Sequence, residues 1–291
     1  MHDPLKKQFC VIGDPIGHSL SPQIHGAVFR YFDLDVEYTA MHVTPDRLSD
    51  FVTECRTMGR PGFNVTIPHK QSIVSLLDKT DPLSDRIGAV NTVVNRGGAL
   101  FGYNTDVQGF IFSLKDSGWI PDGTVLLFGA GGAARAAIEA LAFLGSSTVV
   151  VSDINRDRLS EFQRHFQVLH PAMRLIAAAS DSTAFETYVR QASLFINATP
   201  VGMWPNTEAV PVHVNWLPQT ATVFDMVPRP IVTALLNQAK SYGLRTIPGL
   251  TMLIAQALES DALFLDRKIP QHLFTAVEDE LYRHLEGHAK T

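Results

Sequence analysis

The stretch Thr124-Val125-Leu126-Leu127-Phe128-Gly129-Ala130-Gly131-Gly132-Ala133-Ala134 decides the fold. Its first five residues form a short apolar run of the kind buried in a parallel sheet. Gly129 to Gly132 read as a turn, and the alanine-rich residues beyond carry a helix to about Leu144. Strand, Gly-x-Gly-x-x-Gly/Ala turn and helix, in that order, make a dinucleotide-binding fingerprint. Gly129 permits the tight turn, Gly131 lets backbone approach a pyrophosphate, and the small third position lets helix lie close on strand. Gly129, Ala130, Gly131, Gly132 and Ala133 are thus expected at the phosphates, where the helix N-terminus offers N–H groups and partial positive charge. Thr148 to Ser152 reads as the next strand. Asp153 stands at its end, where the fingerprint places the acid for the ribose hydroxyls. A carboxylate there accepts from both hydroxyls of NAD but repels the 2′-phosphate of NADP, so NAD is expected over NADP. Arg156 and Arg158 lie close by and could blunt that repulsion, but read more readily as solvated charges on the helix that follows.

Upstream, strand and helix signals also alternate, which indicates an α/β layer fold with much parallel pairing. Phe9 to Gly13 reads as a buried strand. Ser21-Pro22 reads as a helix start with serine as the cap, running to about Phe32. A strand follows from Val36 to Val43, and Thr44-Pro45 repeats the cap signal for a helix ending near Gly59. Strands at Gly62 to Ile67, Ala89 to Val94 and Leu100 to Tyr103 complete this part. Downstream of Asp153, strands are expected at Leu194 to Asn197 and Ala221 to Asp225. Helices are expected at Ile231 to Tyr242, Leu250 to Leu265 and Gln271 to Leu285. No internal repeat or Ser/Gly linker marks a boundary.

The 291 residues suit about two domains, and 45% hydrophobic with 18% charged residues is a globular profile. A net charge of −5 with no basic run argues against a nucleic-acid partner. Met1 to Gln8 is polar and lacks the apolar core of a secretory signal. No segment approaches a membrane span. Cys10 and Cys55 cannot build a disulfide framework, and a reduced, cytoplasmic state is expected. Eleven histidines without a metal-ligand spacing make a metal centre unexpected.

Polar residues gather where strand ends meet loops. Ser19-Leu20-Ser21 sets two hydroxyls at a strand-to-helix turn, suited to an anionic oxygen. Asn64 and Thr66 alternate onto one strand face, after which Pro68 turns the chain to present Lys70. Asn91-Thr92 and Asn104-Thr105-Asp106 add amides and a carboxylate.

These motifs, in order over nearly the whole chain, resemble the shikimate/quinate dehydrogenase family. The resemblance is carried by Gly13-Asp14-Pro15-Ile16-Gly17-His18-Ser19-Leu20-Ser21-Pro22, Asn64-Val65-Thr66-Ile67-Pro68-His69-Lys70, Gly88-Ala89-Val90-Asn91-Thr92 and Asn104-Thr105-Asp106. It continues through the glycine turn, Asn197-Ala198-Thr199, Asp225-Met226-Val227 and Gly249-Leu250-Thr251-Met252-Leu253-Ile254-Ala255-Gln256. The resemblance implies two α/β domains: a substrate domain of residues 1–106 plus 249–291, and a Rossmann-like domain of 107–248 inserted in it, with the active site in the cleft. It also implies that Lys70 and Asp106 are the catalytic pair. Ser19, Ser21, Asn64, Thr66, Asn91 and Gln256 would hold the carboxylate and hydroxyls of a small cyclitol acid. Thr199, Met226 and Gly249 would lie by the cofactor. The implied reaction moves a hydride between NAD and a ring hydroxyl of shikimate, quinate or a close relative, Lys70 accepting the hydroxyl proton and Asp106 orienting it.

Two positions depart from the family's pattern. Members using NADP carry Asn-Arg-Thr where this chain has Asp153-Ile154-Asn155, which removes the arginine that meets the 2′-phosphate. The family commonly reads Asp-Met-x-Tyr after the Ala221–Asp225 strand, and here the tyrosine position is Pro228, which has no donor. The alternatives are a member with a shifted hydroxy-acid substrate and a non-catalytic dinucleotide-binding regulator. Retention of both Lys70 and Asp106 argues against the regulator. A monomer or a homodimer suits this reading.

Overall fold

The computed structural model describes residues 7–288, so most of the polar stretch Met1 to Gln8 lies outside the described residues. The chain divides into two compact units: one runs to Thr105 and resumes at Ile254, and the other spans Asp106–Leu253. The family resemblance implies these breaks at 106 and 249.

The first unit opens with β1 (Lys7–Gly13), α1 (Ser21–Tyr31), β2 (Val36–His42), α2 (Leu48–Thr57), β3 (Gly62–Val65) and β4 (Lys79–Thr80). It continues with α3 (Pro82–Ile87), β5 (Thr92–Arg96) and β6 (Ala99–Tyr103). The sheet order is β2-β1-β3-β5-β6-β4. β1 pairs in parallel with β2 and β3, but β5 is antiparallel to both β3 and β6. Parallel pairing is therefore only part of this sheet. Gly97 and Gly98, both at positive φ, turn the β5–β6 hairpin. Cys10, Ile12, Phe51, Cys55, Phe63 and Val93 pack as a core on one side. Both cysteines are free, and burial pushes their thiols up, Cys10 to about 12 and Cys55 to about 11.

Ser21 does not cap α1. Leu20 is already helical in φ and ψ, so Ser21 is the first residue of the helix, and its amide donates to Ser19 Oγ at 3.2 Å. Thr44 likewise gives no side-chain cap: a short 3₁₀ turn, Pro45–Arg47, precedes α2. The side-chain cap formed in this region is Asp81, which accepts from the Ser84 and Leu83 amides ahead of Pro82.

The second unit begins with α4 (Asp106–Asp116), β7 (Thr124–Phe128), α5 (Gly132–Phe143), β8 (Thr148–Ser152), α6 (Arg156–Leu169), β9 (Arg174–Ala177) and α7 (Thr183–Val189). β10 (Ala192–Asn197), β11 (Thr222–Asp225), α8 (Ala234–Ser241) and β12 (Arg245–Pro248) follow, and α9 (Gly249–Leu265) and α10 (Leu273–His288) close the chain. Every strand pair in this sheet is parallel, in the order β12-β11-β10-β7-β8-β9. The order reverses at β7, as in the doubly wound dinucleotide folds, and ligands bind outside the strands' carboxyl ends at that reversal. β7, β8 and β10 are almost wholly buried, as the continuous apolar runs require. No helix among the described residues is long and apolar enough to cross a membrane.

Candidate active site

In the second unit the glycine loop leaves the central strand β7 at the reversal of strand order. Gly129 adopts φ +114°, and a Cβ there would lie 2.9 Å from the Ala198 carbonyl oxygen. Only glycine meets both demands without strain. Gly131 differs: nothing lies within 4 Å of the position its Cβ would take. The open space beside this backbone, at the N-terminus of α5, fits a pyrophosphate. Gly132 and Ala133 form the first turn of α5.

Asn197, at the end of β10, ties the other expected cofactor residues together. Its Oδ1 accepts from the Thr199 amide and hydroxyl at 3.1 and 2.6 Å, and its carbonyl accepts from the Met226 amide at 3.0 Å. Its Nδ2 donates to Asp225 Oδ1 at 2.9 Å. A Cβ on Gly249 would lie 2.7 Å from the Met226 carbonyl, so glycine lets α9 start against that loop. Asp225 is fully buried and also accepts from the Val227 amide and the Thr233 hydroxyl. Burial raises its carboxyl above the usual range, against those bonds. Gly129, Thr199, Met226 and Gly249 thus form one connected patch, with Asn197 and Asp225 as supports that sequence reasoning left without a role.

Asp153 lies at the end of β8, 3% exposed, and its Oδ2 accepts from the Ala130 amide at 2.8 Å. Oδ1 accepts from the Asn155 amide at 2.8 Å. Arg158 is no free solvated charge: its Nη2 bonds Oδ1 at 2.7 Å, and its Nε and Nη2 bond Oδ2 at 3.1 and 2.9 Å. Burial works to raise this carboxyl, but Arg158 and the two amides outweigh it and hold it below the usual range. Arg156 pairs instead with exposed Asp181. Ile154 is 82% exposed beside the acid.

In the first unit, topology brings the other candidates to one edge of the sheet. β1 and β3 run in parallel, so the turn holding Ser19 and Ser21 and the segment Thr66 to Lys70 leave the sheet at the same end. β5 runs the opposite way and therefore begins there, at Asn91-Thr92, while β6 ends there, leading into Asn104 and Thr105. Asp106 is the next residue. Asn91 is the hub: its Oδ1 accepts from the Thr105 amide at 2.8 Å, and its Nδ2 donates to Thr105 Oγ1 at 2.9 Å and Gln256 Oε1 at 3.1 Å. Asn64 Nδ2 lies within bonding distance of the Asn91 carbonyl at 3.1 Å and of Thr92 Oγ1 and Ser260 Oγ, both at 3.0 Å. Lys70 is half-buried, and its carbonyl accepts from the Val90 amide at 2.7 Å, one residue before the hub. Thr66 is anchored by its amide on the Ile12 carbonyl at 2.9 Å. Thr92 and Thr105 were legible as neighbours of the quoted asparagines; Ser260 and Tyr38, which also touch Asn64, had no local signal.

An all-parallel doubly wound unit with a glycine phosphate loop, together with a mixed-sheet unit presenting amides, hydroxyls and a lysine at one sheet edge, defines a dinucleotide-dependent oxidoreductase. Comparison with known proteins narrows this. The family model described as the shikimate dehydrogenase substrate binding domain matches residues 11–93. A shikimate dehydrogenase (NADP(+)) of Moorella thermoacetica is 36% identical over 278 residues, 95% of this chain and 92% of its own. The structure of shikimate 5-dehydrogenase from Thermus thermophilus, in complex with NADP(H) and shikimate, superposes with a TM-score of 0.81 at 34% identity, covering 94% of this chain and 98% of that one. Quinate dehydrogenase from Corynebacterium glutamicum in complex with NAD gives 0.84 at 26% identity, covering 94% and 99%. The chain belongs to the shikimate/quinate dehydrogenase family. The Moorella relative's name runs against the expectation of NAD over NADP; both cofactors occur among these proteins.

Proposed function

We propose that the chain moves a hydride between a nicotinamide dinucleotide and a ring hydroxyl of shikimate, quinate or a close cyclitol acid. The observation that carries this is the array of uncharged donors and acceptors around Asn91, flanked in the chain by the segments bearing Lys70 and Asp106. Amides and hydroxyls on a fixed frame suit a polyol, since each can give or take a hydrogen bond. Asn64, Thr66, Asn91 and Gln256 hold the ring hydroxyls. Ser19, whose Oγ already accepts from the Ser21 amide, keeps its hydroxyl hydrogen to donate to the carboxylate, with Ser21 beside it. Lys70 takes the proton of the reacting hydroxyl and Asp106 orients it. The nicotinamide, when bound, supplies the hydride acceptor or donor. Gly129 to Ala133 hold its pyrophosphate, Asp153 its adenosine ribose, and Thr199, Met226 and Gly249 its nicotinamide end. Turnover with a panel of cyclitol acids and both dinucleotides tests the proposal; no oxidation of any of them would overturn it.

NAD is the preferred cofactor in this reading. A 2′-phosphate would set a second anion against the buried Asp153, and Ile154 offers no cation to meet it. The expected preference in kcat/KM is at least about tenfold, roughly 1.4 kcal/mol. Asp153→Asn should narrow it. Equal use of NADP by the unmodified protein would mean that Arg158 leaves Asp153 to clamp the phosphate.

The substrate choice rests on Pro228. The loop before it is fixed by the Val227 amide on Asp225 at 3.1 Å. A tyrosine hydroxyl donating to the substrate carboxylate would contribute roughly 1.5–3 kcal/mol, and proline contributes none. Proline also leaves room at the ring carbon where quinate carries a hydroxyl that shikimate lacks. Quinate is therefore expected to be handled better than shikimate, and Pro228→Tyr to tighten shikimate. Tight shikimate binding with no quinate turnover in the unmodified protein would sink this choice.

A further inference from the structure

Behind the Asn91 hub lies a polar column that the reaction described above does not use. Tyr38 of β2 donates its hydroxyl to Asn64 Oδ1 at 2.6 Å, and both residues are buried. The Tyr38 ring stacks on the His25 imidazole of α1, with centroids 4.1 Å apart and planes 12° from parallel. His25 Nδ1 in turn meets Asp261 Oδ1 of α9 at 2.7 Å, and neither His25 nor Asp261 is exposed. His25 Nε2 and Asp261 Oδ2 have no hydrogen-bond partner. A buried charged or polar pair of this kind adds little to stability compared with an apolar replacement. Its place under the one ring that bonds Asn64 gives it a different use.

We propose that Tyr38 is a positioning residue for substrate binding, acting through Asn64 and braced by the His25–Asp261 pair. An amide can flip end for end, and the Tyr38 hydroxyl facing its oxygen, together with the Asn91 carbonyl facing its nitrogen, decides which way Asn64 points. Burial pushes the Tyr38 hydroxyl well above the usual phenol range, so it remains a donor. The two hydrogens of Asn64 Nδ2 then face the Asn91 carbonyl, Thr92 Oγ1 and Ser260 Oγ, three acceptors within bonding distance. Ser260 Oγ reaches Thr105 Oγ1 at 3.0 Å, and Thr105 bonds Asn91, so the setting of Asn64 passes to the hub and to Gln256. The proposal rests on the reading of Asn64 as a residue that holds substrate.

Tyr38→Phe removes only the hydroxyl. The cyclitol-acid KM should rise about tenfold, while kcat and the dinucleotide KM stay within about twofold. If Tyr38 acts through Asn64, the Asn64→Ala/Tyr38→Phe double variant should be no weaker than Asn64→Ala alone, since the two losses are one. Should Tyr38→Phe not fold, Asp261→Ala should raise the same KM and Asp261→Asn, which still bonds the imidazole, should restore it. An unaltered substrate KM in folded Tyr38→Phe, or losses that add in the double variant, would overturn the proposal. An unaltered KM in Asn64→Ala would overturn the role of Asn64 itself and the proposal with it.

Discussion

Lys70→Ala should lower kcat by roughly 10²–10⁴-fold, the usual worth of a positioned proton acceptor. The ring hydroxyl is a poor hydride source while it keeps its proton, and no other lysine stands in the segments that converge on Asn91. The dinucleotide Kd, read by titration without substrate, should stay near its original value, because Lys70 belongs to the first unit and the glycine loop to the second. Initial rates at saturating cofactor give the turnover number. Near-normal turnover in the variant would remove Lys70 from the mechanism.

The second large effect is expected at Asp225. Asp225→Ala strands the Asn197 amide, the Val227 N–H and the Thr233 hydroxyl in a fully buried place. Each stranded group costs about 1–3 kcal/mol, partly offset by relief of the buried charge, so a net loss of about 3 kcal/mol is expected. That corresponds to a fall in Tm of roughly 6–12 °C for a unit of this size. Thr199 and Met226 hang from Asn197, so the cofactor KM should rise too. Asp225→Asn keeps an acceptor for two of the three donors and should cost much less. The pH dependence has a definite sign. The folded carboxyl lies above its unfolded value, so the group's contribution improves as pH falls through that window and is lost as pH rises. A melting profile of Asp225→Asn without that contribution would agree; equal Tm for Asp225→Ala and the unmodified protein would not.

The glycine loop and Asp153 were legible because backbone demands act locally: a left-handed turn and an open approach leave only glycine, and the acid follows at the next strand end. The polar clusters at Asn64, Asn91 and Asn104 were legible as motifs, but their convergence depends on β5 running against β3, which no local pattern states. The strands β9 and β12 were not found, because each opens on an exposed arginine and is only partly buried, whereas the equally short β3 and β11 are buried throughout. Ser21 misled because Ser-Pro signals a cap wherever it falls, while here the helical backbone begins one residue earlier. Arg158 misled differently: its position fits a solvated helix face, and only the fold about Asn155 brings it back onto Asp153. His25 and Asp261 are 236 residues apart, and neither residue type announces the other.

The split of the first unit at Thr105 and Ile254 means that its sheet and the helix that answers its polar centre are synthesised far apart in time. A nascent chain that has emerged as far as Tyr103 holds all six strands of its sheet, with Asn64, Thr92 and His25 set for the interior. Ser260, Gln256 and Asp261, which bond them, are not yet made. Closing the sheet's polar centre at that stage would bury groups with nothing to answer them. The all-parallel unit has its last strand by Pro248, before any of these three residues is made. The part of the chain synthesised first thus meets its last hydrogen-bond partners only once Gln256, Ser260 and Asp261 have been made.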